Sequence, residues 1–200
     1  MHVHFEQALE THADALCPKI RQQDRDEVYA LTLGMPGPAL KQSIALSDWS
    51  VTGFVDGEPV AMLGVAPINI IAKIGMPWML TTDAAEQHLR RFMLESVYWR
   101  DRMLASYPRL RNVVDQRNTV SRRWLSWLGF AIRPAEPVGP LKLPFSVFEM
   151  GIADVCGSRA NRSIDNRRRR GLDTARPGSG SICELQRADH YDECRAGETA

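Results

Sequence analysis

Hydrophobic and polar positions alternate with several different periods along residues 1–150, which predicts a chain of mixed helices and strands. Apolar residues recur at helical spacing in 9–20, 24–33, 39–46, 84–107 and 120–128. Short apolar or alternating runs predict strands at 2–5, 49–55, 59–65, 68–74, 77–81, 113–114, 131–132 and 145–150. Mixed order of this kind requires a central sheet covered by helices, so we predict an α/β (α+β) fold.

Local signals set several boundaries of these elements. Asp56-Gly57 lies between two strand-forming runs, and this dipeptide favours a tight hairpin turn with positive φ. Asp24 followed by Glu27 has the spacing of a capping box, which predicts that a helix begins at Asp24. Gly129 is predicted to cap the C-terminus of the helix over 120–128.

The composition changes after Met150. Residues 1–150 contain all 5 Trp and all 6 Phe, whereas 151–200 are rich in Arg, Gly and Ser. We therefore predict a folded domain at 1–150 and an irregular, disordered or extended tail at 151–200. Two other interpretations remain open for the tail: a basic arm that docks on nucleic acid through Arg167–Arg170, and an out-of-frame translation product.

Bulk charge and cysteine content exclude several classes of protein. The net charge of +1 gives no general attraction to nucleic acid or to a membrane surface. No apolar stretch approaches the ~20 residues of a membrane span, and the N-terminus lacks a secretory pattern, so we expect a cytoplasmic protein. The 4 Cys do not suggest a disulfide framework. Cys183, His190 and Cys194 match no common zinc spacing, and His2 with His4 is too isolated to predict a metal site.

One block carries a family resemblance. Val114, Asn118, Ser121, Leu128, Gly129 and Phe130 have the spacing of the last block of the GNAT acyltransferases, which this chain resembles. Those enzymes move an acyl group from coenzyme A to an amine. The resemblance implies a GNAT-like mixed central sheet covered by helices, with acetyl-CoA held near Leu80, Thr81, Thr82, Asn118 and Ser121. Asn118 can alternatively serve only as a helix cap.

A narrower resemblance covers the runs 56–65, 77–83, 107–110 and 118–130. They are similar to acetyltransferase-like proteins encoded among the virion genes of short-tailed bacteriophages. This similarity implies a bacteriophage protein that is made in the host cytoplasm and acts in the virion or its assembly, with other virion proteins as partners.

Two departures from the enzyme pattern bear on catalysis. The stretch 81–86 lacks the Gly-rich loop that holds the coenzyme A pyrophosphate, and Asp83 with Glu86 has capping-box spacing there. Lys73, His88 or Arg90 could bind the pyrophosphate instead. Leu125 stands where many GNAT enzymes have a Tyr that protonates the leaving thiolate.

Asp115 is the nearest carboxylate with a possible base role, although a solvent-facing strand residue has the same pattern. Trp99, Trp124 and Trp127 have helical spacing, which favours core or interface packing over a binding platform. The leading hypothesis is a virion or morphogenesis protein with a degenerate acetyl-CoA site. The alternative is an active N-acetyltransferase that acetylates an amine.

Overall fold

A computed structural model describes residues 2–87 and 89–154, except for the side chains of 86–91. The chain divides into two units, Met1–Gly151 and Ile152–Ala200. The first unit contains every element discussed below. Of the second, only 152–154 lie within the described residues, so the predicted tail and its Arg167–Arg170 cluster lie outside them.

Seven strands and six helices follow one another in the first unit. The strands are β1 (Val3–Gln7), β2 (Trp49–Val55), β3 (Glu58–Asn69), β4 (Ile74–Thr81), β5 (Arg109–Asp115), β6 (Ala131–Val138) and β7 (Leu143–Gly151). The helices are α1 (Glu10–Leu16), α2 (Gln22–Thr32), α3 (Pro36–Leu46), α4 (Ala84–Gln87), α5 (Leu89–Ser106) and α6 (Thr119–Leu128). A 3-10 turn, Cys17–Lys19, follows α1. The predicted mixed α/β class is confirmed.

The strands form one sheet in the order β1-β2-β3-β4-β5-β7-β6. All neighbouring strands are antiparallel except β4 and β5, which are parallel. Met62 of β3 packs with Leu16 and Leu40 on the side of α1 and α3. On the opposite side, Trp99 of α5 contacts Phe5 of β1. Helices therefore cover both faces of the sheet and bury apolar residues on each side.

The parallel strands β4 and β5 are paired at only two positions before they separate. Only Ile74–Arg109 and Gly75–Leu110 are paired between β4 and β5, although each strand continues for several more residues. Asn112 spans the start of the gap, where its Nδ2 donates to the Pro77 carbonyl at 2.8 Å. Beyond that bond the two strands leave an opening, which we call the splay.

Several predicted boundaries were wrong. The strand predicted at 68–74 is instead the end of β3 followed by a turn, because the Asn69 Oδ1 accepts from Ala72 N and closes the turn. By contrast, the described residues of the helix predicted over 84–107 are helical through Ser106, as α4 and α5 on either side of His88, which lies outside the described residues. The strand predicted at 131–132 continues to Val138, since β6 is an edge strand and tolerates Pro134 and Pro137.

Other local predictions were confirmed. Asp56 and Gly57 turn the β2–β3 hairpin with φ of 49° and 87°. Gly129 ends α6 with φ of 100°. Within the described residues, no helix is both long enough and apolar enough to cross a membrane.

Candidate active site

The backbone of β4 alternates between its neighbour β3 and the splay. Thr82 N donates to the Val60 carbonyl at 2.9 Å, on the β3 side, whereas the Pro77 carbonyl faces Asn112 across the splay. Because hydrogen-bonding direction alternates along a strand, Leu80 also directs its backbone groups toward β3, and Met79 directs its own into the splay. Leu80, which the resemblance placed near acetyl-CoA, therefore turns its backbone away from the splay, and Met79 presents its own backbone there.

The backbone N–H and C=O of Thr81 face the splay, but both are already hydrogen-bonded. The N–H bonds Asp24 of α2, and the C=O bonds Arg21, the residue before α2. Thr81 N donates to the Asp24 carboxylate at 3.0 Å, and the Thr81 carbonyl accepts from Arg21 N at 3.0 Å. Arg21 also binds Asp24 through its guanidinium at 2.8 Å. The Thr81 backbone is therefore occupied by the N-terminal end of α2, and a contact between Thr81 and acetyl-CoA stays a prediction.

Asp24 serves a different purpose from the one that its spacing suggested. The N-cap of α2 is Arg21, and Asp24 lies inside the helix. Its side chain is buried and bonds the end of β4 rather than its own helix. The predicted capping box at Asp24 was therefore wrong, because a bond between distant parts of the chain replaced the local one.

Asn118 caps α6 and also reaches toward α2. Its Oδ1 accepts from Ser121 N at 3.1 Å, and its Nδ2 donates to the Glu27 carboxylate at 3.2 Å. The capping alternative for Asn118 is thus observed, whereas a contact between Asn118 and coenzyme A stays a prediction. Ser121 lines the cavity described below, and Thr82 is tied to Val60 through its backbone and its hydroxyl.

The Asp115 carboxylate is bound by Arg117, which lies in the turn after β5. Arg117 binds both carboxylate oxygens, with its Nε 3.0 Å from Oδ1 and its Nη2 2.6 Å from Oδ2. Burial raises the pKa of Asp115, but the hydrogen bonds and charge of Arg117 outweigh burial and hold that pKa below its ordinary value. A carboxylate so stabilised in its charged form is a weak proton acceptor, so this geometry does not favour Asp115 as a base.

Glu27 is the titratable group that sequence reasoning missed. One carboxylate oxygen accepts from Asp115 N at 3.0 Å, at the end of β5, and the other accepts from Asn118. Burial raises the pKa of Glu27 to about 7, against the two hydrogen bonds, and the charges of Asp24 and Asp115 raise it further. Its spacing from Asp24, three residues along α2, places both carboxylates on one helix face, and this was the available signal.

A cavity of about 400 Å³ opens at the splay. Its lining includes residues of both diverging strands, Pro77–Leu80 of β4 and 112–114 of β5. Residues from both helix layers complete the wall: Glu27 and Val28 of α2, Phe92 and Trp99 of α5, and Trp124 and Leu125 of α6. Since both layers contribute, the cavity continues through the sheet at the splay.

The pyrophosphate end of the proposed site differs from the family pattern. α4 begins at Ala84, and Asp83 before it is exposed. Lys73 lies in the β3–β4 turn, at the opposite end of β4 from Thr81, roughly 25 Å away for a strand of that length. That distance removes Lys73 as a candidate for the same site. The side chains of Glu86, His88 and Arg90 lie outside the described residues.

Among the described side chains, which exclude those of residues 86–91, no three or more potential metal ligands lie together. Cys183, His190 and Cys194, whose spacing already argued against a zinc site, lie outside the described residues.

Comparisons with known proteins place this geometry in a fold family. No family model and no curated protein matches the chain. A GNAT-family acetyltransferase from Streptococcus pneumoniae matches at TM-score 0.50 and 16% identity, over 76% of this chain and 99% of its own. A probable GNAT-family acetyltransferase from Chromobacterium violaceum matches at TM-score 0.58 and 18% identity, over 77% and 90%.

The chain has the GNAT fold. A spermidine N-acetyltransferase variant from Vibrio cholerae shares it at TM-score 0.56 and 7% identity, over 80% of this chain and 98% of its own. Identities this low establish the architecture and leave the activity to be argued from the site. In this GNAT fold Met79 and Glu27 both line the cavity at the splay, and Asn118 bonds Glu27.

Proposed function

We propose that this protein is an N-acyltransferase that moves an acyl group from an acyl-CoA to a primary amine. The observation that carries the proposal is the splay, which opens onto a cavity and has a carboxyl of near-neutral pKa at its edge. The acetyltransferases that share the GNAT fold support the same reaction class.

The residues at the splay suit the pantetheine arm of coenzyme A. Backbone N–H and C=O groups of Met79 point into the gap, and an amide-bearing chain can pair with them as a strand would. Ser121 and Leu125 of α6 would line the same arm. Coenzyme A supplies an activated thioester there, and its pyrophosphate would lie near the start of α4, without the Gly-rich loop.

Glu27 would act as the general base. A base works best when its pKa lies near the operating pH, and the raised pKa of Glu27 meets that condition. The amine nitrogen would bond to the acyl carbon as the carbon–sulfur bond breaks, and Glu27 would take the proton that the amine loses. The coenzyme A thiolate would take a proton from a water, which would recover one from Glu27. Leu125 is buried beside the cavity and has no proton to donate, so a water must serve there.

The test is thiol release from acetyl-CoA by the full chain with a panel of primary amines. Glu27→Gln should lower kcat by about 10²–10⁴-fold, which is the usual contribution of a general base. Asp26→Asn is the matched control, because Asp26 is an exposed neighbour on α2 and should leave the rate unchanged. The kcat/KM of the wild-type protein should fall below pH about 7, as Glu27 becomes protonated. Equal rates for both variants would contradict the role of Glu27.

The virion or assembly role remains a second proposal, which rests on the sequence resemblance to bacteriophage proteins. It predicts that the chain copurifies with particles and binds other virion proteins. Mass spectrometry of purified particles tests it, and absence of the chain from them would count against it. Nucleic-acid binding through Arg167–Arg170 likewise stays a proposal, and salt-dependent binding that is lost on removing 151–200 would support it.

A further inference from the structure

The cavity extends far beyond the place that an acetyl group would occupy. From the splay it continues beneath α5 to Val3 and Phe5 of β1 and to Val55 of β2. In the sheet, β1 lies three strand positions from β4, so the cavity reaches roughly 14 Å past the splay. A two-carbon acyl group attached at the splay would leave most of that length unfilled.

The volume and lining of the cavity indicate a larger apolar group. A volume of about 400 Å³ falls within the range of sites that bury drug-sized ligands. Under α5 the wall is mainly aromatic and aliphatic, with Phe5, Val55, Trp99 and Met103 among its members. Such a wall favours the transfer of hydrocarbon from water and disfavours a charged chain.

Two indole groups line this cavity. Among the described residues, the buried Nε1 atoms of Trp99 and Trp124 have no hydrogen-bond partner. Both donors are covered by protein atoms, so what Trp99 and Trp124 present to a ligand is mainly the apolar surface of their rings.

We propose that the acyl donor carries a medium-chain or aryl acyl group, longer than acetyl, which lies beneath α5 between Trp99 and strands β1–β3. This inference rests on the proposed acyltransferase function and names its donor class. In the transfer, the bond between the acyl carbonyl carbon and the coenzyme A sulfur breaks, and that carbon bonds to the amine nitrogen. The amine proton passes to Glu27, and the products are an amide and free coenzyme A.

The test compares the binding of octanoyl-CoA and acetyl-CoA to the full chain by calorimetry, without any amine present. Six additional methylene groups buried in an apolar cavity should make octanoyl-CoA bind about a thousandfold more tightly. Ser96→Phe would fill the cavity, because Ser96 is buried on its wall. It should weaken octanoyl-CoA at least tenfold and change acetyl-CoA less than twofold. Ser126→Phe, at an exposed position of α6, is the matched control.

A second readout does not depend on Ser96→Phe. In ¹⁵N spectra of the wild-type protein, the indole N–H signal of Trp99, assigned with Trp99→Phe, should move on adding octanoyl-CoA and stay in place with acetyl-CoA. The signal of exposed Trp127 should not move with either ligand. Equal affinity for the two ligands, with an unmoved Trp99 signal, would overturn this inference and leave the acyltransferase proposal standing. Failure of both ligands to bind would overturn the proposed function as well.

Discussion

Two carboxylates of α2 give the splay its chemical character at the scale of single residues. Asp24 bonds the end of β4 and Glu27 bonds the end of β5, so each diverging strand is tied to the same helix face. They differ in environment, because Arg21 neutralises Asp24 whereas Glu27 contacts an amide and a backbone N–H. The three-residue spacing along α2 therefore places Asp24 in an ion pair and leaves the Glu27 carboxyl able to exchange a proton.

The raised pKa of Glu27 has a consequence for stability. A carboxyl that titrates at about 7 in the folded chain and at about 4.5 in the unfolded chain holds its proton longer when folded. Folding is therefore favoured below pH 4.5, and this stabilisation is lost as pH rises from about 4.5 to about 7. Between pH 5 and pH 8, wild-type protein should lose up to about 3 kcal/mol relative to Glu27→Gln.

Urea unfolding of both proteins at the two pH values measures this difference. Loss of the hydrogen bond to Asn118 in Glu27→Gln lowers the free energy of unfolding equally at both pH values. It therefore does not affect the change in unfolding free energy between those two values. Parallel pH profiles for the two proteins would mean that the Glu27 carboxyl titrates normally in the folded chain.

At the scale of elements, the splay begins after a short parallel contact between β4 and β5, and the side chains around Gly75 at that contact are tightly packed. Gly75 is one of two β4 residues paired with β5, and a Cβ at Gly75 would lie 2.6 Å from the Tyr107 ring and 2.8 Å from Val65. Tyr107 is fixed in turn, because its hydroxyl donates to the Asp48 carboxylate. Burial beside Asp48 raises the pKa of Tyr107 to about 12, so the hydroxyl keeps its proton at physiological pH.

Gly75→Ala should therefore destabilise the fold. Overpacking of this kind costs about 1–3 kcal/mol, and the midpoint of urea unfolding should fall without a change in its slope. Gly37→Ala is the matched control, since a Cβ there meets only Cys17 Sγ at 3.4 Å and lies in a helix that favours Ala. If the two variants unfold alike, the packing around Gly75 is looser than these distances indicate.

At the scale of the whole molecule, patterns within short stretches were predictable and contacts between distant ones were not. The Asp56-Gly57 turn, the Asn118 cap and the Gly129 C-cap each depend on a few neighbouring residues, and the structure contains all of them. Asp24 looked like a cap because local spacing permits that role, yet its partner Thr81 lies 57 residues away. Glu27 was missed for the same reason, because its partner Asp115 is 88 residues along the chain.

The most direct test of the central claim is thermal unfolding of the full chain with and without acyl-CoA. A ligand at ~100 times its dissociation constant adds about 2.7 kcal/mol of stability, a rise in Tm of roughly 5–10 °C for a domain of this size. We expect that shift with octanoyl-CoA, and a smaller one with acetyl-CoA at the same concentration. No shift with either ligand at millimolar concentration would contradict the claim that the splay is a coenzyme A site.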